Sequence, residues 1–327
     1  MSPSPHYDLV IVGGGPAGAS TALHLAHHAP ELGRKTVLLE KARYPRDKYC
    51  AGAIGARGLK VLERIGVEVR VPRVSIHGMS FRMAGERWVV PEGGIGVVVR
   101  RIEFDRALAR HVADRGIEVR DGTAVHAIEP ASGGLRIVTS EGVIHARAVV
   151  GADGVGGVVR RAAGFPRALR RAQAIEVNTE MAGVPDRPDL LHFDFGVSDL
   201  NGYAWDFPTP PGDKGTSLQM CRGVYRIVRE PDNVRDRLRA HLGEKGLNLD
   251  NYEVKPFAEQ GFDPRVSISR PRVLLVGEAA GVDILSGEGI AQALQYGALA
   301  GPFVAQAFRS GDLSFSGWTQ RVRSSQL

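Results

Sequence analysis

Tyr7-Asp8-Leu9-Val10-Ile11-Val12-Gly13-Gly14-Gly15-Pro16-Ala17-Gly18 runs into an Ala/Leu-rich stretch and then Thr36-Val37-Leu38-Leu39-Glu40. The order is strand, glycine turn, helix, strand, acid. Gly13-x-Gly15-x-x-Gly18 follows an apolar run and opens a helix, the setting in which such glycines bind a dinucleotide. Gly13 permits the tight turn. Gly15 lets the backbone approach a pyrophosphate, whose charge faces the helix N-terminus at Pro16 and Ala17. Gly18 lets helix and strand pack closely. Glu40 closes the second strand roughly 20 residues on, beside Lys41, where a carboxylate can accept from a ribose hydroxyl. The blander reading is a tight turn with a solvated Glu40; the complete context favours dinucleotide binding.

The 327 residues suffice for one large domain or two interleaved ones, and 43% hydrophobic content allows a sizeable core. Glycine, at 41 residues, suits a turn-rich α/β chain built around a large ligand. The net charge of +6 is carried mostly by arginine, in Arg160-Arg161, Arg167 to Arg171 and Arg235 to Arg239. Such runs are solvated surface, or a face toward anionic cofactors or membrane headgroups. No nucleic-acid motif accompanies them. Cys50 and Cys221 are far apart, so no disulfide framework is expected, and no Cys/His spacing suits a metal. Met1 to His6 lacks the form of a signal peptide. No apolar run approaches the roughly 20 residues that span a bilayer. The expectation is a soluble cytoplasmic chain, or one peripheral to a membrane.

Along the chain, the first helix is expected over Pro16–His28, with a turn at Leu32 to Lys35 and a second helix from Gly58 to Ile65. Strand-like alternation fills Val74 to Arg100, broken by loops at Ala84-Gly85 and Glu92-Gly93-Gly94. Arg101 opens a helix with Phe104, Leu108 and Val112 on one face. Ile117 to Val119 and Thr123 to Val125 read as the strand pair after it. Leu135 to Thr139 and Val143 to Ala148 form a hairpin. Ala148 to Gly154 is an apolar strand ending in Asp153, an acid that could accept from a ribose or ribityl hydroxyl or cap the following helix. Strands resume from Gln173 to Ala258, interrupted by a helix near Asp232 to Leu242. Val273 to Gly281 is a buried strand and turn, and Gly289 opens a long helix. The tail from Ser314 is weakly helical around Trp318 and Val322.

Several segments together resemble a known family. Pro45-Arg46-x-Lys48-x-Cys50-x-Gly52 resembles the Pro-Arg-x-Lys-x-Cys-Gly-Gly segment of the geranylgeranyl reductases, with Ala51 in place of a glycine. Those belong to the superfamily of p-hydroxybenzoate hydroxylase-like, group A flavin monooxygenases. Arg101-x-x-Phe104-Asp105-x-x-Leu108 matches a segment whose arginine contacts the cofactor; a plain helix-start arginine paired with Asp105 is the alternative. Gly151-x-Asp153-Gly154 with Arg160 resembles the second flavin signature, with Gly157 in place of a serine. Gly277-Glu278-Ala279-Ala280-Gly281 followed by Ser286-Gly287-Glu288-Gly289-Ile290 resembles the third, with Glu278 for an aspartate, Ile284 in place of the proline and a residue missing nearby. Asn201 to Pro208 resembles the Gly-Tyr-x-Trp-x-Phe-Pro motif whose aromatics wall the substrate cavity. It is at best half of the halogenase Trp-x-Trp-x-Ile-Pro motif.

The resemblance implies an α/β fold: a Rossmann-type, glutathione reductase-like FAD-binding domain over 1–73, 100–165 and 265–327. A mixed β-sheet substrate domain is inserted over 74–99 and 166–264. FAD would contact Gly13, Gly15, Pro16, Ala17, Gly18, Glu40, Lys41, Arg46, Cys50, Ala51, Gly52, Arg101, Val125, Asp153, Gly154, Gly277, Glu278, Gly287, Gly289 and Ile290. Cys50, Tyr203 and Trp205 would serve catalysis. With one fingerprint only, NAD(P)H would be a transient electron donor. Reduced flavin would act on a small hydrophobic or aromatic substrate, free or presented by a carrier or membrane. The Cys50 and Tyr203/Trp205 segments lean toward C=C reduction. A monooxygenase working through a C4a-hydroperoxyflavin, and a non-catalytic flavin-binding maturation partner, are the alternatives. Family members usually continue through further helices, so this is a short member or a truncated chain.

Overall fold

The first strand, His6–Val12, lies inside an eight-stranded sheet in the computed structural model, which describes residues 5–166, 171–183, 187–196, 200–212, 215–228 and 233–327. It pairs in parallel with Thr36–Glu40 on one side and Gly142–Gly151 on the other, and Val273–Leu275 extends the sheet beyond the latter. Leu9, Val10 and Ile11 are fully buried. A continuous apolar run is what a parallel strand covered on both faces requires. Val125–Ala131 and Gly134–Thr139 add an antiparallel hairpin onto Gly142–Gly151.

The Pro16–His28 helix packs on this sheet and is itself covered by the 22-residue helix Gly289–Ser310. Small residues allow the close crossing. A β-carbon at Gly297 would strike Ser20, and one at Gly301 would strike His24. The Ser20 hydroxyl donates to the Leu294 carbonyl at 2.7 Å, and so ties the two helices together.

A second eight-stranded sheet runs in the order Lys255–Gln260, Arg171–Thr179, Gln219–Ile227, Gly202–Thr209, Leu191–Asp194, Arg73–Met83, Glu86–Val99, Ala53–Gly55. It is mixed, because Leu191–Asp194 pairs in parallel with Arg73–Met83 while its other pairings are antiparallel. Alternation separates its faces. Ile175, Val177, Ala204 and Val224 form a core with Leu238 and Leu242 of the Val234–Gly243 helix. Ala172, Ala174, Tyr203, Trp205, Phe207, Cys221 and Tyr225 occupy the opposite face.

The structure departs from the sequence reading in a few places. Glu86–Val99 is one strand rather than two separated by a loop at Glu92 to Gly94. Ile76 pairs with Gly96 and Gly78 with Pro91, so a bulge absorbs the glycines and pairing resumes beyond it. The strands after the Arg101–Asp114 helix do not pair with each other. Glu118–Asp121 joins Thr36–Glu40, and Val125–Ala131 joins the hairpin. Leu32 to Lys35 is partly a short helix, Pro30–Gly33. The arginine runs form no common face: Arg160 is buried, while Arg235 and Arg239 reach Asp250. The Arg167 to Arg170 part of the second run lies outside the described residues, as do Met1 to Ser4 and Asp232.

Candidate functional site

His6–Val12, Gly142–Gly151 and Val273–Leu275 are parallel neighbours, and the loop after each carries one of the three glycine–acid signatures. Ligands of open α/β sheets bind beyond the carboxyl ends of such strands. Backbone bonds tie the loops together: the Ala152 N–H donates to the Val12 carbonyl at 2.8 Å, and the Val276 N–H to that of Gly151 at 2.9 Å. Gly13 has φ of 107°, and a β-carbon there would meet the Ala152 and Asp153 backbone. One at Gly18 would collide with the Gly13 carbonyl oxygen. Gly15 differs, because the nearest atoms to a β-carbon there are Arg101 Nη2 at 3.7 Å and Arg46 Nη2 at 3.9 Å. Two guanidiniums above a bare peptide at a helix N-terminus make a cradle for an anion.

Those arginines are held by carboxylates. Asp105, fully buried, accepts from Arg101 Nε at 2.8 Å, Arg101 Nη2 at 2.7 Å and Arg46 Nη1 at 2.7 Å. Burial pulls its carboxyl up, but Arg101 and then Arg46 outweigh that and hold it below the ordinary range. Arg101 therefore does pair with Asp105 while lining the site. Arg46 also reaches Glu40 Oε2 at 3.1 Å. Glu40 further accepts from the N–H groups of Gly14 at 3.0 Å and Ala42 at 3.1 Å.

Asp153 does two things. Its Oδ2 accepts from the Val159 N–H at 2.9 Å, the capping role, while its Oδ1 is buried without a partner. Burial raises its pKa. The carboxylate occupies the space a β-carbon at Gly157 would need, which accounts for glycine there. Thr123 Oγ1 is likewise buried and unpartnered at the site wall.

The second sheet closes the site with aromatic rings. Phe193 meets Phe207 edge-on at 5.1 Å, and Tyr203 stacks on Tyr225 at 5.2 Å. Tyr203 Oη donates to the Ser286 carbonyl at 2.7 Å, and Tyr225 Oη lies 2.9 Å from the Ile284 carbonyl oxygen. These hydroxyls fasten the loop leading into the Gly289–Ser310 helix. Between the aromatic and charged parts, the Cys50 N–H donates to Glu176 Oε1 at 2.8 Å. Burial pushes the Cys50 thiol up, only partly opposed by Arg101, so it stays protonated. Lys48 Nζ sits 3.0 and 3.2 Å from the two Glu278 oxygens.

One cavity of about 1400 Å³ is lined by Gly13, Gly15, Pro16, Ala17, Glu40, Lys41, Arg46, Cys50, Ala51, Gly52, Arg101, Val125, Asp153, Gly154, Tyr203, Trp205, Glu278, Gly287, Gly289 and Ile290. Gly18 and Gly277 stand behind it, packed on Gly13 and Ala17. Sequence reasoning missed Glu176, Glu259, Tyr44, Tyr225 and Thr123. Tyr44 donates to the Gly14 carbonyl at 2.6 Å and braces the glycine turn. Glu176 was readable in principle, as an acid on the opposite face of the strand from Ile175 and Val177. Nothing local marks Glu259. The residues present fit an extended dinucleotide, with an open cradle at Gly15, a carboxylate at Glu40 and an unsatisfied acceptor at Asp153.

Comparison with known proteins agrees with this geometry. The family described as FAD binding domain matches residues 6–295. A digeranylgeranylglycerophospholipid reductase of Methanothrix thermoacetophila is 31% identical, over 95% of this chain and 80% of that protein. A geranylgeranyl bacteriochlorophyll reductase-like protein of Thermoplasma acidophilum superposes with a TM-score of 0.81 at 22% identity, covering 98% of this chain and 83% of that one. A point mutant of the halogenase PltM, solved in complex with FAD, superposes with a TM-score of 0.74 at 16% identity, over 97% of this chain and 73% of that one.

Proposed function

The chain belongs to the FAD-binding-domain family, as an FAD-dependent oxidoreductase of the geranylgeranyl reductase type, and from that premise we propose that it saturates C=C bonds of an apolar, isoprenoid-like substrate. The observation that carries this is the continuity of the cavity. The glycine–arginine cradle and the wall of Phe193, Tyr203, Trp205 and Phe207 belong to one space. FAD would be held by the Gly15 cradle, Glu40, Arg46, Arg101, Asp153 and the loops at Gly154, Glu278 and Gly287 to Ile290, and would supply hydride transfer. The first sheet with its helices is the cofactor-binding body, and the second sheet presents the substrate wall.

The protein's own contribution is positioning and exclusion of water. Apolar rings bind a hydrocarbon chain by burying its surface, at roughly 25 cal/mol per Å². Tyr203 directs its hydroxyl to Ser286, so the face it offers the cavity is carbon. Cys50, a protonated thiol on the cavity wall, adds a soft contact between the two parts. Relatives named for a lipid bearing geranylgeranyl chains support a lipid-like substrate, drawn from a carrier or a membrane surface. Among the described residues no helix is long and apolar enough to cross a membrane. The electron donor is taken to be NAD(P)H, docking transiently.

The test is anaerobic. Flavin reduced in the purified enzyme is mixed with a geranylgeranyl lipid, and products are read by mass spectrometry. The expected result is flavin reoxidation with two hydrogens gained per double bond. Reoxidation only after oxygen is admitted, with an oxygen atom in the product, would replace this reading with a monooxygenase. No reoxidation by either would leave a flavin-binding protein without this chemistry.

A further inference from the structure

Glu259 is the penultimate residue of the strand Lys255–Gln260, with its carboxyl in the cavity wall, and is 5% exposed. Its Oε1 and that of Glu278 converge near the start of the Gly289–Ser310 helix, 3.8 and 3.6 Å from where a β-carbon on Gly289 would lie. Glu278 is paired with Lys48. Glu259 has no cation at salt-bridge distance among the described residues. Its partner is Tyr225, whose Oη lies 2.9 Å from Glu259 Oε2 and 2.9 Å from the Ile284 carbonyl oxygen.

The hydrogens at Tyr225 can be counted. A phenol has one, a peptide carbonyl none, and an ionised carboxylate none. With Glu259 ionised, the single phenolic hydrogen must serve two acceptors. With Glu259 protonated, both contacts become full hydrogen bonds: Glu259 donates to Tyr225, and Tyr225 donates to Ile284. Two carboxylates drawn to one spot also disfavour double ionisation.

Resting on the reductase reading above, we propose that Glu259 is the proton donor of this cavity, the acid that completes C=C reduction. Saturation of a double bond takes two electrons and two hydrogens. One carbon receives hydride from the reduced flavin, and the other receives the Glu259 proton, as the π bond becomes two C–H bonds. Glu259 is left as a carboxylate and the flavin oxidised. A proton from solvent restores the acid, and the electron donor restores the flavin. The groups facing Glu259 suit this cycle. Tyr225 and Tyr203 come from the sheet, Glu278 from the turn at Gly277–Ala279, Asp283 from the following loop, and Lys48 from the segment before Cys50. Burial first, and then the charge of Glu278, raise its pKa to about 8, so the acid form prevails at neutral pH.

The experiment uses FAD-loaded enzyme, wild type and Glu259→Gln, with FAD content and melting temperature confirming that the variant is folded. Infrared difference spectra taken across about pH 6 to about 10 follow the carboxylic-acid C=O band. Wild type should lose a band with a midpoint near 8 that the variant lacks. In anaerobic single turnover with a geranylgeranyl lipid, the wild-type rate should fall as pH rises through that midpoint. The Glu259→Gln rate should be about 100-fold lower and flat with pH. A variant turning over at the wild-type rate, or with the wild-type pH profile, overturns the proposal and leaves the reductase reading standing. A wild-type enzyme that does not transfer hydride to the alkene overturns both. A band with its midpoint near 8 that persists unchanged in Glu259→Gln removes the protonated acid on which the proposal depends.

Discussion

Arg160, in the short helix Val158–Ala162 that follows the strand Gly142–Gly151, donates through Nη1 to the carbonyl of Ala279 at 2.8 Å, and so staples two cofactor segments 119 residues apart. Its Nε also donates to the Pro166 carbonyl at 2.9 Å. Arg160→Ala removes both bonds and leaves the Ala279 carbonyl with only a longer contact from Gln260, at 3.3 Å. The expected loss is about 1–3 kcal/mol of stability, with weakened FAD retention. Chemical denaturation with and without added FAD measures both.

Asp105 holds two guanidiniums inside the protein. Asp105→Asn keeps the shape and removes the charge, leaving Arg101 and Arg46 repelling each other beneath the cradle. Breaking a buried pair in this way costs roughly 3–5 kcal/mol. The variant should melt well below wild type, and added FAD should raise its melting point by linkage. A variant with unchanged stability would show that the buried charges are compensated elsewhere.

Glu176 makes the apoprotein's stability fall with rising pH. Burial raises its pKa to about 7 from an ordinary value near 4.5, so between these values the folded chain holds a proton that the unfolded chain has released. Stability contributed by that proton is full below the lower value and lost as pH climbs through the upper one. Asp105 and Asp206 act oppositely: both are held low, and their contribution is lost in acid. A stability maximum near pH 5 is expected. Glu176→Gln should match wild type there and exceed it by on the order of 2 kcal/mol near pH 8. Thermal melts at the two pH values decide this.

Gly223 lies under the Trp205 indole, and a β-carbon there would strike the ring as well as the Ile175 carbonyl. Gly223→Ala should cost about 1–3 kcal/mol by overpacking and drive the indole toward the cavity. FAD affinity should change little, while the Michaelis constant for a long apolar substrate rises. Comparison of FAD binding with substrate kinetics separates the two effects.

The first sheet was legible from local pattern, because Leu9–Val12 and Thr36–Glu40 are buried on both faces and their glycine turn has few other uses. The aromatic alternation of Tyr203, Trp205 and Phe207 was legible for the same reason. The bulge after Pro91 was not, since glycines read as a break and only the partner strand carries pairing across them. Glu259 was hidden because its environment is assembled from four distant segments. The partners of Arg101 illustrate the middle case: Asp105 was visible at helical spacing, while Arg46 came from another loop.

The order of strands in the first sheet has a consequence for synthesis. Val273–Leu275 brings the last of the three cofactor loops beside strands made more than a hundred residues earlier. A nascent chain on the ribosome can form its opening strand–helix–strand unit early but cannot enclose a flavin until that late strand has emerged. Until then the Val149 to Gly151 end of the strand Gly142–Gly151 is open to mispairing, and a bound flavin would report arrival of the missing strand.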